Sequence, residues 1–173
     1  DLGCGEGYYT SGFQAEEKYG FDMSKEALKH ASKNYPSTQY AVASIFRLPL
    51  EDASCDTAVT CFAPFAKDEI ERVLTQGGRF FFVSPGPKHL FELKQLIYDT
   101  PYENEMKDLE TTLVKEEEYF ISNTFHCEKE NLISLFKMTP YYHRTRNEDI
   151  DKINHQDGMD ITAEFLIRVY QKR

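Results

Sequence analysis

Hydrophobic positions along this chain fall into short runs whose period switches between that of a strand and that of a helix. Residues 18–22 form an apolar-centred run ending on Asp22, and residues 39–44 form another. Between them Ala27, Leu28 and Ala31 recur at helical spacing behind Ser24, whose hydroxyl suits an N-cap, and Pro36 closes the segment. Residues 55–61 are mostly apolar, as expected of a strand covered on both faces. Residues 67–74 carry Ile70, Val73 and Leu74 on one side, and Gln76-Gly77-Gly78 is expected to end that helix. Residues 79–84 are the most apolar strand. With a first helix over residues 8–14, strands alternate with helices, which predicts a parallel sheet joined by right-handed crossovers. Residues 45–54 are too few for a further full helix.

The second half is less regular. Leu90, Leu93 and Ile97 predict a helix over residues 89–98, and the charged stretch 101–115 reads as an exposed excursion. Residues 119–127 read as a strand, 129–136 and 148–155 as helices, and 161–170 as a closing strand with Phe165, Ile167 and Val169 alternating.

Composition narrows the class. A length of 173 residues suits one domain over residues 1–173, and 40% hydrophobic residues make it globular despite a mean hydropathy of −0.57. No apolar run is long enough to span a bilayer, so a cytoplasmic protein without a membrane partner is expected. Cys4, Cys55, Cys61 and Cys127 show no C-x-x-C pairing and read as free cytosolic thiols rather than a disulfide framework or zinc site. The net charge of −9 argues against simple electrostatic binding of nucleic acid by this chain alone.

The chemistry is concentrated at the start. Asp1-Leu2-Gly3-Cys4-Gly5-Glu6-Gly7 reads D-x-G-x-G-x-G ahead of a helix beginning at Tyr8. Glycines at alternate positions allow positive φ and close approach of a ligand, and a helix N-terminus suits an anionic group. An ordinary glycine turn is the bland alternative. Asp22, 15 residues after Gly7, ends a strand where an open α/β sheet binds ligands, so it can accept both hydroxyls of a ribose. The third glycine follows the second by two residues rather than three, which sets the pattern apart from the dinucleotide fingerprint G-x-G-x-x-G.

This arrangement resembles class I methyltransferases that use S-adenosylmethionine. The resemblance implies an α/β, Rossmann-like class I methyltransferase fold: a seven-stranded, mostly parallel sheet with helices on both faces and an antiparallel last strand. It also implies that Asp1, Gly3, Gly5 and Gly7 lie against the cofactor and that Asp22 and Met23 hold its ribose end. Tyr8, Tyr9 and Thr10 would offer backbone or hydroxyl contacts to its amino acid end. Ala43 and Ser44 would meet the adenine, and Cys61 and His89 would complete the surround. Further along, Arg47-Leu48-Pro49, Phe62-Ala63-Pro64, Pro85-Gly86-Pro87-Lys88-His89-Leu90, Glu92-Leu93-Lys94 and Met138-Thr139-Pro140 follow in order. Together they resemble the RlmA-type ribosomal RNA (guanine-N1) methyltransferases over essentially the whole chain. That family carries an N-terminal module in which four cysteines bind zinc. Neither that module nor the first strand of the fold is found here, so zinc is expected only in the absent module.

The resemblance implies large-subunit ribosomal RNA as partner and is compatible with a homodimer. Phe62, Pro64 and Phe65 after the 55–61 strand would frame a flipped guanine, with core packing the alternative for the two rings. Tyr142, Arg144 and Arg146 form the one local aromatic and basic cluster, suited to base stacking and phosphate contact, with a solvated loop the alternative. Loss of the N1 proton calls for a base, and Glu92, Asp99 and His89 are candidates without a choice among them, so the catalytic residue is unknown. A small-molecule methyltransferase and a non-catalytic cofactor-binding interaction module are the competing readings.

Overall fold

The six strands of this α/β chain fall into a two-stranded and a four-stranded sheet. The computed structural model describes residues 1–173. Strands β1 (Tyr19–Asp22) and β2 (Gln39–Val42) pair in parallel, and β3 (Cys55–Cys61) and β4 (Leu74–Pro85) pair in parallel within a four-stranded sheet. That sheet has the order β3-β4-β6-β5, with β5 spanning Val114–Glu128 and β6 Gly158–Gln171. Leu2 forms a parallel bridge with Phe21, and its N–H donates to Val59 O at 2.9 Å, so it stands between β1 and β3. The expected seven strands are therefore six. The first strand of the fold, not found in the sequence, is represented by the single bridged residue Leu2, after which Gly3 turns out of the ladder at φ 79°.

Opposing partners fix the direction of the last strands. Glu118 meets Arg168, Thr124 meets Thr162 and His126 meets Asp160, so β5 and β6 run antiparallel. Gly77 N–H donates to Lys172 O, whereas Gly86 N–H donates to Glu164 O, so β4 and β6 are antiparallel as well.

Six helices follow the hydrophobic pattern: α1 Tyr8–Gly12, α2 Lys25–Asn34, α3 Lys67–Val73, α4 Phe91–Ile97, α5 Lys129–Lys137 and α6 Asn147–Asn154. Ser24 Oγ accepts the Ala27 N–H at 3.2 Å and caps α2, which buries Leu28 and Ala31. The Gly77-Gly78 pair does not end α3 as expected. The helix stops at Val73, Leu74 is already extended, and the glycines lie inside β4. Between the pairs Cys55↔Leu74 and Thr57↔Arg79 the register shifts, and Gly77 at φ 80° accommodates the extra residues.

The chain divides into two compact units, residues 1–84, 108–119 and 167–173 in one and residues 85–107 and 120–166 in the other. The core of the first gathers Leu2, Phe21, Leu48, Ile70 and Phe80, with Phe80 stacked on Tyr170 at 6.2 Å. The core of the second is built from Leu93, Leu132, Phe136, Ile153 and Ile161.

Two connections are more firmly held than their composition predicts. Arg72 grips the Glu69 carboxylate through two bonds of 2.8 Å, meets Asp52, and donates to the carbonyls of Leu48 and Leu50. Glu69 in turn accepts the Leu48 N–H at 2.6 Å, and Arg72 holds its carboxyl down at about 2. This pins the 45–54 connection. The 101–115 stretch, expected to be an exposed excursion, is partly anchored: Leu113 is buried, and Glu71 accepts from Thr111 Oγ1 at 2.6 Å and Thr112 N–H at 2.9 Å.

Candidate active site

The glycine loop wraps the carboxyl end of β1. Gly3, Gly5 and Gly7 all have positive φ, at 79°, 54° and 75°. Two of them are also sterically required. A Cβ on Gly3 would lie 2.7 Å from Ala63 Cβ, and one on Gly7 would run into the Tyr40 hydroxyl. Gly7 then leads into α1, whose first-turn amides have no partner inside the helix.

Asp22 ties the loop to the strand end. Its Oδ2 accepts the Gly5 N–H at 2.9 Å and its Oδ1 accepts the Ser24 N–H at 2.7 Å. Each carboxylate oxygen has two acceptor sites, so one remains open on each after these bonds. Asp1 behaves similarly. Its Oδ2 accepts from the buried Thr10 hydroxyl at 2.6 Å, while its Oδ1 is buried without a hydrogen-bond partner. A buried acceptor left unmet costs about 1–3 kcal/mol, so the loop holds polar capacity that its own fold does not use.

The neighbouring residues divide by exposure. Tyr8, Tyr9 and Met23 have exposed side chains, and the two tyrosine rings meet edge to face at 5.3 Å. Ala43 N–H donates to Asp22 O at 3.2 Å, and Ser44 Oγ accepts the Phe46 N–H at 3.3 Å. Thr10's hydroxyl is taken by Asp1. Burial pushes the Cys61 thiol up, and burial with the nearby Asp22 raises Cys4 to about 11, so both stay protonated near neutrality.

Beyond Cys61 the backbone turns sharply. Phe62 sits at φ 60°, a left-handed conformation costly for a bulky residue, and its N–H donates to Val83 O at 3.0 Å. Its side chain is 45% exposed. Pro64 is exposed too, but Phe65 turns inward, stacking on Phe80 at 5.6 Å and meeting Phe82 edge to face at 6.5 Å. In this loop, therefore, Phe62 and Pro64 are exposed and Phe65 packs with the core.

The remaining expected residues lie in the second unit. His89 Nδ1 accepts the Glu164 N–H at 3.2 Å, its ring lies 5.3 Å from Phe165, and burial lowers its pKa, which favours the neutral ring. Glu92 takes the Thr162 hydroxyl on one oxygen and the Thr162 N–H on the other. Tyr142 lies in a 3-10 turn, Tyr142–Arg144, edge-on to Phe136 at 5.4 Å. Arg144 is exposed, whereas Arg146 bonds Asp149 at 3.0 Å and Glu148 at 2.7 Å in the first turn of α6. No group of three or more histidine, cysteine or acidic side chains could hold a metal ion.

Sequence reasoning passed over Lys94. Its side chain is 2% exposed, and Nζ donates to Asn104 Oδ1 at 2.7 Å and Tyr102 O at 3.1 Å, 4.4 Å from the Tyr102 ring centroid. Burial lowers its pKa. Asn104 also donates to Gly86 O at 2.8 Å. A lysine at an ordinary helical position carries no sign of such burial.

Comparison with known proteins bears on this site. Residues 1–82 match a family model described as a methyltransferase domain. A Bacillus halodurans structure described as a candidate methyltransferase superposes with a TM-score of 0.65 at 16% identity, covering 99% of this chain and 90% of that one. The chain has the class I methyltransferase fold. A Bacillus subtilis protein named as a candidate 23S rRNA (guanine-N1)-methyltransferase, YxjB, is 29% identical over 99% of this chain and 66% of its own length. The Streptomyces fradiae 23S rRNA (guanine748-N1)-methyltransferase is 37% identical over 54% of this chain and 35% of its own length. The chain thus spans less than two thirds of the length of these relatives. Its glycine loop fits the cofactor of the fold: Gly5 stands beside open space, Asp22 keeps open acceptor sites, and Asp1 Oδ1 is an unmet acceptor.

Proposed function

We propose that this chain binds S-adenosylmethionine at the glycine loop and directs its methyl group to N1 of a guanine in large-subunit ribosomal RNA. The observation that carries the cofactor half is the Asp22–Gly5 bond at the end of β1, which presents a carboxylate with open acceptor sites beside glycines that admit a ligand. Asp22 and Met23 would take the ribose end, Asp1 and the α1 amides the amino acid end, and Ala43 and Ser44 the adenine side. The cofactor supplies an already activated methyl on its sulfonium, so the protein's work is binding and alignment rather than covalent catalysis.

The guanine half rests on the two relatives named for that reaction. Phe62, exposed beside Pro64 directly after β3, suits stacking on a base taken out of its helix. Transfer to N1 forms a carbon–nitrogen bond, breaks a carbon–sulfur bond and releases the N1 proton. Glu92 and His89 are already engaged by Thr162 and Glu164, so the proton acceptor is unassigned among the chain's residues. Arg144 is the better phosphate ligand of the basic cluster, because Arg146 is held by α6. With a net charge of −9, strong RNA affinity must come from local contacts rather than the field of the whole chain.

The test is methyl transfer from labelled cofactor to a 23S rRNA hairpin, with the product base mapped. Label at guanine N1 supports the proposal. Transfer to small phenols or amines and none to RNA overturns the guanine half, and cofactor binding without transfer to either leaves a binding module.

A further inference from the structure

The turn that follows β4 is gripped from two sides. Gly86 N–H donates to Glu164 O and Lys88 N–H to Glu164 Oε1, both at 2.8 Å. Opposite them, the Asn104 side-chain amide donates to Gly86 O at 2.8 Å and the Asn104 N–H to Pro87 O at 2.9 Å. A Cβ on Gly86 would come within 2.6 Å of Glu164 Cγ, so Glu164 lies across the turn only because residue 86 is glycine. Leu90 closes the segment at φ 52°, a left-handed conformation strained for a branched side chain. Such strain persists where the surroundings over-determine it, and it gathers at functional loops.

Within this turn His89 breaks the pattern of the ladder. Leu90 N–H donates to Thr162 O, so residues 86–90 continue along β6 past the end of β4. The Glu164 N–H, which a carbonyl would ordinarily take, goes instead to His89 Nδ1 at 3.2 Å. Only a lone pair accepts an N–H there. Nδ1 therefore carries no proton, and the neutral ring carries its proton on Nε2. Of the charged groups acting on the ring, Glu164 favours its protonation and Lys94 opposes it, while burial, the largest influence, favours the neutral form.

We propose that His89 acts as a hydrogen-bond donor through Nε2 and not as a proton acceptor, with Glu164 as the residue that positions it. The Glu164 N–H selects the tautomer, and its carboxylate, through Lys88, fixes the turn that carries the ring. The ligand of such a donor is an oxygen bearing negative charge. On the methyl-transfer reading, on which this choice alone rests, that oxygen belongs to the carboxylate of S-adenosylmethionine or is O6 of a guanine, which gains charge as N1 loses its proton.

Long-range proton–nitrogen NMR of the histidine-labelled chain near neutral pH, with His89 assigned by its loss in His89→Gln, should show the tautomer protonated on Nε2. A ring protonated on Nδ1, or on both nitrogens, overturns the proposal whatever the chain methylates. Glu164→Ala should mix the two tautomers, and Glu164→Gln, which keeps an oxygen for the Lys88 N–H, should restore the single one. If the oxygen is the cofactor's, Glu164→Ala should weaken S-adenosylmethionine binding in calorimetry roughly tenfold; if it is the guanine's, cofactor affinity should hold and kcat on a 23S rRNA hairpin should fall by about that factor. Glu164→Gln should stay near wild type in both. A folded Glu164→Ala protein equal to wild type in affinity and in kcat overturns the positioning role. Absence of transfer to the hairpin in the wild type counts against the guanine reading and not against the tautomer, which the spectrum decides alone.

Discussion

The glycine loop and the lysine cage of α4 are both dense in polar groups, and they use them in opposite ways. Lys94 is surrounded: Asn104, the Tyr102 carbonyl and the Tyr102 ring take up its charge, and Asn104 passes the constraint on to Gly86. At the loop, Asp1 Oδ1 is buried and unmet, and Asp22 satisfies two backbone amides while retaining acceptor sites. Buried polar groups are nearly always paired, so unfilled capacity beside left-handed glycines is what the proposed cofactor site rests on, whereas filled capacity marks a joint. The orphan alone does not make a site. Tyr141 Oη is also buried without a partner, but its ring packs among those of Tyr98 and Phe136 rather than beside left-handed glycines.

Gly7→Ala should break the comparison most severely. It adds left-handed strain of about 1–2 kcal/mol and a collision with Tyr40, so the melting temperature should fall by roughly 2–8 °C and cofactor binding should be lost. Lys94→Met should lower stability without touching cofactor binding. Leaving Asn104 Oδ1 and the Tyr102 carbonyl without their donor costs about 1–3 kcal/mol, so the melting temperature drops while cofactor affinity measured by calorimetry stays within twofold.

Much of the loop was legible before the structure because its signals are local. Ser24 caps α2 as its position predicts, Cys55–Cys61 is a strand at the expected bounds, and Asp22 ends β1. What escaped depends on distant partners. The Arg72 clamp joins residues more than 20 positions apart, and nothing near Arg72 announces it. Lys94 reads as a solvated helix residue until Asn104 and Tyr102 are brought over it. Phe62 and Phe65 are indistinguishable as letters, and only the left-handed turn at Phe62 sends one outward and the other against Phe80.

A pH titration sharpens the contrast within the first unit. Glu69 is held at about 2 in the folded state against an ordinary value of 4.5, so its pairing stabilises fully above pH 4.5 and is lost as pH falls through about 2. Melting temperature followed over that window should fall more steeply for the wild type than for Glu69→Gln. The smallest effect is expected in the basic cluster. Arg144→Ala should weaken binding of a ribosomal RNA hairpin a few-fold and reduce its salt slope by about one, while Arg146→Ala should mainly loosen α6.

Calorimetric titration of S-adenosylmethionine into the wild type and Asp22→Ala tests the central claim most directly. One site is expected in the wild type and more than tenfold weaker binding in the variant, with the fold retained by circular dichroism. Equal affinity in the two proteins would contradict it, because the carboxylate at the end of β1 would then hold the loop and nothing else.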